Sequence, residues 1–147
     1  MTKLLVINGP NLQLLGIREI GVYGKFTLEQ IESVLKKKAA SYKKLNVDFF
    51  QSNSEGEIID KIALALTQNY DGIIINPAAY THTSVAIYDA LKAVNLPAIE
   101  VHISNIYERE EFRTRSITAS ACIGLISGFG MKSYEYALTA LMDYLSN

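Results

Sequence analysis

The sequence predicts an α/β fold, a five-stranded parallel sheet with helices on both faces, and three observations predict it. Short apolar runs alternate with longer stretches of helical periodicity, the pattern of repeated βαβ units. The runs are near-continuous in Ile, Val and Leu, as strands covered on both faces are. Five of them occur, at Leu4 to Ile7, Val47 to Phe50, Ile73 to Ile75, Ala98 to Val101 and Ile123 to Ile126.

The elements follow in order. From Asn8 to Phe26 runs a connection too long for a turn, whose Gly16, Gly21 and Gly24 stand with Arg18, Glu19 and Tyr23. It is expected to be a mobile loop at the carboxyl end of the first strand. Thr27 with Gln30 forms a capping box that opens a helix carrying Leu28, Ile31, Leu35 and Tyr42 on one face. Ser54 with Glu57 repeats the start signal ahead of Ile58, Ile62 and Leu66, and Val85, Leu91 and Val94 mark a third helix. A second long connection, Ile103 to Ala121, holds Arg109, Glu110, Glu111, Arg113 and Arg115, and a short amphipathic helix is expected near its middle. Tyr134, Leu138, Leu141 and Leu145 mark a terminal helix. No repeat, low-complexity tract or linker interrupts the pattern, so residues 1–147 are expected to form a single domain.

Composition narrows the function. A chain of 147 residues, 49% hydrophobic and 20% charged, suits one full core. Its 14 basic and 15 acidic residues leave a net charge of -1, which offers no broad positive surface to nucleic-acid phosphates. No stretch reaches the ~20 apolar residues of a membrane span, and the first apolar run is too short for a signal peptide, so a cytoplasmic location is expected. The lone Cys122, beside an apolar run and far from either histidine, is expected to be a buried structural thiol.

The five runs end in Asn8, Gln51, Asn76, His102 and Ser127, and in an open α/β sheet the ligand crevice lies beyond those carboxyl ends. Strands emerging into water account for Gln51 and Ser127. The polar clusters after the first, third and fourth strands exceed that. Both histidines, His82 and His102, belong to these clusters, and imidazole is the commonest proton-transfer group near neutral pH. Glu100 and His102 are two apart on a strand and share a face, so the carboxylate either orients the ring for chemistry or makes a purely structural bond. His82, among Thr81, Thr83 and Ser84 at the start of a helix, is on local grounds either a ligand-facing group or a helix cap. One cysteine and two distant histidines form no closely spaced ligand set, so no metal is expected. Asn8-Gly9-Pro10-Asn11 lacks both the glycine spacing of a dinucleotide loop and the lysine of a P-loop, so no nucleotide cofactor is expected. A phosphoacceptor receiver would need acidic residues where Asn8 and Asn76 stand, and a flavodoxin would need hydroxyl groups in the first loop.

These residues resemble the type II 3-dehydroquinate dehydratases over nearly the whole chain. The blocks that carry the resemblance are Asn8-Gly9-Pro10-Asn11, Leu14-Leu15-Gly16, Arg18-Glu19, Tyr23-Gly24, Phe49 to Asn53 with Glu55-Gly56, Ile75 to Ser84, Glu100 to Ile106, Arg109-Glu110, Phe112-Arg113 and Gly128-Phe129-Gly130. The resemblance implies a flavodoxin-like three-layer sandwich that assembles as a homododecamer, a tetramer of trimers. It implies dehydration of 3-dehydroquinate to 3-dehydroshikimate in the shikimate pathway, by anti elimination through an enolate, with no cofactor, no metal and no lysine Schiff base.

By the same resemblance Tyr23 is the base, His102 the acid, Arg18 the transition-state stabiliser, and Asn11 holds a water for the enolate. Asn76 and the backbone amides of Ile103 and Ser104 bind the substrate carboxylate; His82, Asp89 and Arg113 bind ring hydroxyls; Glu100 orients His102. A phenol ordinarily ionises near pH 10, so a phenolate at pH 7 costs ~4 kcal/mol that neighbouring cations must supply. Arg18 and Arg113 are the expected pair. Gln13, Tyr88 and Tyr107 depart from the family's common asparagine, arginine and histidine without touching proton transfer.

Overall fold

The computed structural model describes all 147 residues. Strands β1 (Thr2–Asn8), β2 (Leu45–Gln51), β3 (Gly72–Asn76), β4 (Ala98–His102) and β5 (Gly124–Ser127) form one sheet in the order β2-β1-β3-β4-β5. Every pairing is parallel, and Asn8 stands level with Gln51 on one side and Asn76 on the other. Around the sheet lie α1 (Ile20–Tyr23), α2 (Leu28–Ala39), α3 (Glu55–Thr67), α4 (Val85–Val94) and α5 (Lys132–Leu145).

Alternation along the strands splits the core in two. Leu4, Val6, Ile74, Ile99 and Val101 face α2 and α5, meeting Ile31, Leu35, Leu138 and Leu141. Leu5, Ile7, Ile73 and Ile75 face α3 and α4, meeting Ile58, Ile62, Ile87 and Leu91. This is the expected α/β three-layer sandwich of flavodoxin type.

Three helix starts are set by side chains that satisfy free backbone N–H groups. Thr27 accepts from the Gln30 N–H at 3.2 Å while the Gln30 side chain accepts from the Thr27 N–H at 2.8 Å, completing the capping box. Ser54 accepts from the Glu57 N–H at 3.2 Å, but the Glu57 carboxylate turns to the Ser52 hydroxyl. Ser84 accepts from the Ile87 N–H at 2.9 Å.

Several local expectations are corrected. Helix α2 ends at Ala39, so Tyr42 lies outside it. On α3 the inward stripe is Ile58, Ile62 and Ala65; Leu66, one position past that stripe, is 53% exposed. On α4 the stripe is Ile87, Leu91 and Val94, which leaves Val85 at the first position facing out. The connection from Ile103 to Ala121 contains no α-helix but three 3-10 turns, Ile106–Glu108, Glu111–Arg113 and Ala119–Ala121. The first long loop, in turn, contains a 3-10 turn at Leu12–Leu14 and the single-turn α1.

Truncating fully buried Ile62 to Ala is expected to lower unfolding stability by about 3 kcal/mol, whereas Leu66→Ala on the same helix should cost under about 1 kcal/mol. Urea unfolding of the two variants checks the helix register.

Candidate active site

The chain crosses from β1 to β2 on one side and returns to β3 on the other side of β1, so the sheet has its switch point between β1 and β3. The backbone there is unusually close. A Cβ on Gly9 would stand 2.5 Å from the Pro77 carbonyl oxygen, so only glycine lets the turns after β1 and β3 meet. The Gly9 N–H donates to the Asn76 carbonyl at 2.8 Å. Asn11 follows in the left-handed region, φ 68°, and its N–H donates to Asn53 Oδ1 at 3.0 Å. Gln51 donates to the Gly9 carbonyl at 3.1 Å.

At the end of β4 the chain supplies a histidine with a buried carboxylate behind it. His102 Nε2 donates to Glu100 Oε2 at 2.8 Å, leaving Nδ1 as the ring nitrogen without a protein partner. Glu100 is fully buried and also accepts from Ser116 Oγ at 2.7 Å and from the Thr118 hydroxyl. A buried carboxylate is tolerated when donors replace its water, and here three do. The following turn is shaped by β5: Ser127 donates to the Ser104 carbonyl at 2.8 Å and accepts from the Ile106 N–H at 3.2 Å.

The two long connections meet over this rim. Arg109 Nη1 donates to the Tyr23 phenol oxygen at 2.7 Å, and the guanidinium carbons of Arg18 and Arg109 lie 4.9 and 5.1 Å from the ring centroid. Each loop also carries counter-charge. Arg18 pairs with Glu19 at 2.6 Å and Arg113 with Glu110 at 2.8 Å, and each arginine's hydrogen bond holds its partner carboxyl below the usual range.

One cavity gathers these groups. Its wall includes Asn11, Arg18, Tyr23, Asn76, His82, His102, Ile103, Ser104, Arg109 and Arg113. Nine of the eleven residues singled out from sequence are therefore in the wall, and Glu100 lies directly behind His102. Asp89 does not join them: it is exposed on α4.

Residues 2–142 match the family model described as Dehydroquinase class II. The chain belongs to the type II dehydroquinases. Among its relatives, the 3-dehydroquinate dehydratase of Caldicellulosiruptor saccharolyticus is 63% identical, with 99% of each chain covered. That of Aliarcobacter butzleri is 57% identical over 98% of this chain and 87% of its own. The crystal structure of type II dehydroquinase from Butyrivibrio crossotus superposes with a TM-score of 0.93 at 51% identity, covering 96% of this chain and 97% of the other.

In this type II dehydroquinase the residue that sequence reasoning passed over is Arg109. Its place in a charged loop was visible, but Arg113 was expected beside Tyr23, and only the path of the loop brings Arg109 there instead. Gln51 and Ser127, assigned to ordinary strand ends, tie the turns that build the rim. The capping alternative for His82 is set aside, because Ser84 caps α4 and the His82 Nδ1–H donates to the Arg115 carbonyl at 2.8 Å. Partial burial pushes the His82 pKa below its ordinary 6.5, favouring the neutral ring. Burial likewise pushes the half-buried Cys122 thiol up to about 12, which suits the structural part expected of it. Of the departures from the family, Gln13 accepts from Gln51 at 3.0 Å, Tyr107 is exposed and Tyr88 is half-buried.

Because His82 is harder to protonate folded than unfolded, the unfolded chain takes up its proton first as pH falls below 6.5. Stability is expected to drop there, and His82→Asn should flatten that part of the acid limb. Melting temperatures of both proteins measured from pH 7.5 down to about pH 5 check the sign.

Proposed function

We propose that the chain dehydrates 3-dehydroquinate to 3-dehydroshikimate in the shikimate pathway, by anti elimination through an enolate, with Tyr23 as base and His102 as acid. Family membership and the relatives' activity support the reaction. The observation that carries the division of labour is the guanidinium N–H held 2.7 Å from the Tyr23 oxygen, because a donated cationic hydrogen bond stabilises negative charge at that atom.

In this reading the Tyr23 oxygen takes the proton from the carbon beside the ketone. The C–H electron pair becomes the enolate, and its negative oxygen is stabilised by Arg18 and by a water held on Asn11. The enolate then reforms the ketone as the new C=C bond expels the hydroxyl, to which His102 gives a proton, so water leaves. Glu100 holds the ring for that transfer, and the sequence is redox-neutral. Asn76 with the Ile103 and Ser104 N–H groups takes the substrate carboxylate, and Arg113 takes a ring hydroxyl. His82, with Nδ1–H committed to Arg115, offers Nε2 as an acceptor to another. Asp89, outside the cavity of its own chain, serves a site only across a subunit contact. The homododecamer, a tetramer of trimers working in the cytoplasm, would supply such contacts.

Purified protein is expected to convert 3-dehydroquinate to a conjugated enone, seen as rising ultraviolet absorbance, with a chelator present and after borohydride treatment with substrate. No absorbance change would contradict the activity, and inactivation by borohydride would contradict a mechanism free of a Schiff base. Tyr23→Phe should lower turnover by about a thousandfold and Arg109→Gln by about a hundredfold, with folds intact by circular dichroism. Near-normal turnover of Tyr23→Phe would require another base.

A further inference from the structure

Beneath the cavity, a buried chain of hydrogen bonds joins three elements that the reaction as described does not connect. Tyr134, on α5, is fully buried and absent from the cavity wall. Its hydroxyl donates to Asn8 Oδ1 at 2.6 Å and accepts from Asn76 Nδ2 at 2.9 Å. Asn76 Oδ1 in turn accepts from the Ala78 N–H at 3.1 Å, where the backbone is held in the left-handed region at φ 53°.

The direction of every bond in this chain follows from one fixed donor. A backbone N–H can only donate, so the Ala78 N–H requires the oxygen of the Asn76 amide to face it. The Asn76 nitrogen then faces Tyr134 and donates, which leaves the phenol to act as acceptor there and to send its own proton to Asn8. Burial pushes the Tyr134 pKa far above the ordinary tyrosine value, so the hydroxyl keeps that proton. Asn8, at the end of the chain, is left with a buried Nδ2 that has no partner. The arrangement leaves both Nδ2 hydrogens of Asn8 unpaired and holds Asn76 by both ends of its amide, with the second Nδ2 hydrogen of Asn76 left for a ligand acceptor.

We infer that Tyr134 is a positioning residue for substrate binding: its buried hydroxyl locks the Asn76 amide in the orientation that presents an N–H to the substrate carboxylate. The inference rests on the assignment of Asn76 to that carboxylate in the proposed function. It assigns a binding role to a residue of the terminal helix, 58 positions from its partner in sequence. Without the hydroxyl, the Asn76 nitrogen loses its acceptor and the amide is free to tilt or turn. That change weakens capture of the ground-state carboxylate and leaves Tyr23 and His102 in place.

The test is steady-state kinetics of wild type, Tyr134→Phe, Asn76→Ala and the double variant on 3-dehydroquinate, with thermal melting of each. Tyr134→Phe is expected to raise KM about tenfold with kcat kept within about twofold. In the Asn76→Ala background the same change should move KM by less than about twofold, because the two side chains act as a unit. An active wild type whose KM is unchanged by Tyr134→Phe overturns the inference. So does a loss confined to kcat, or KM effects that multiply in the double variant. An inactive wild type is a different failure: it overturns the proposed reaction and this inference with it. Should Tyr134→Phe fail to fold, Asn8→Ala carries the test, since it frees the phenol proton from its acceptor. A several-fold rise in KM with kcat retained supports the inference, and an unchanged KM overturns it.

Discussion

The constraint on which the rest of the structure depends is the close meeting of two backbones at the switch point of the sheet. Where β1 and β3 end, the chain has left on opposite faces, so no helix covers the crevice between them. Gly9 against Pro77 closes the floor of that crevice, and any side chain at Gly9 would push its two walls apart. Asn8, Asn11 and Asn76 take their positions from this contact. His102, on the next strand out, is placed by the register that sets Glu100 level with Ile75. Asn76, Glu100 and His102 thus stand on strand ends, Asn11, His82, Ile103 and Ser104 stand in the turns just beyond them, and Arg18, Tyr23, Arg109 and Arg113 come from farther along the two long connections.

Charge is organised around that edge rather than over the surface. A chain of net charge -1 brings three arginines to one cavity. Arg18 and Arg113 each hydrogen-bond an exposed glutamate, while the best-buried of the three guanidiniums, that of Arg109, is directed at a phenol oxygen and has Glu110 only at 3.8 Å. The carboxylate behind His102 is treated oppositely. It is buried completely and given hydroxyl and imidazole donors, so that it holds the ring in one pose. An exposed carboxylate could rotate between water and the ring, and would fix neither tautomer nor orientation.

The layers, strand count and sheet direction were legible because burial on both faces leaves a continuous apolar signature and because Thr27 and Ser54 announce helix starts. The rim was legible because polar residues at strand ends are delivered to one side by parallel geometry. Helix faces were less so: a stripe at period 3.6 drifts, and Leu66 and Val85 fall just outside the faces that Ala65 and Ile87 complete. The loops were least legible. Which of Arg109 and Arg113 reaches Tyr23 depends on two successive 3-10 turns, Ile106–Glu108 and Glu111–Arg113, whose hydrogen bonds are too local and too weakly sequence-specific to predict. Tyr134 carried a core signal alone, and the hydroxyl that distinguishes it from any apolar residue on that face finds its partners only through the packing of α5 on β1 and β3.

The central claim is that proton removal belongs to Tyr23 and protonation of the leaving group to His102, and the two steps can be separated. The direct measurement follows solvent deuterium entering the carbon beside the ketone of 3-dehydroquinate, by NMR, in Tyr23→Phe and His102→Gln proteins. The account predicts that His102→Gln still exchanges that hydrogen while forming little enone, and that Tyr23→Phe does neither. Exchange retained in Tyr23→Phe and lost in His102→Gln would contradict it.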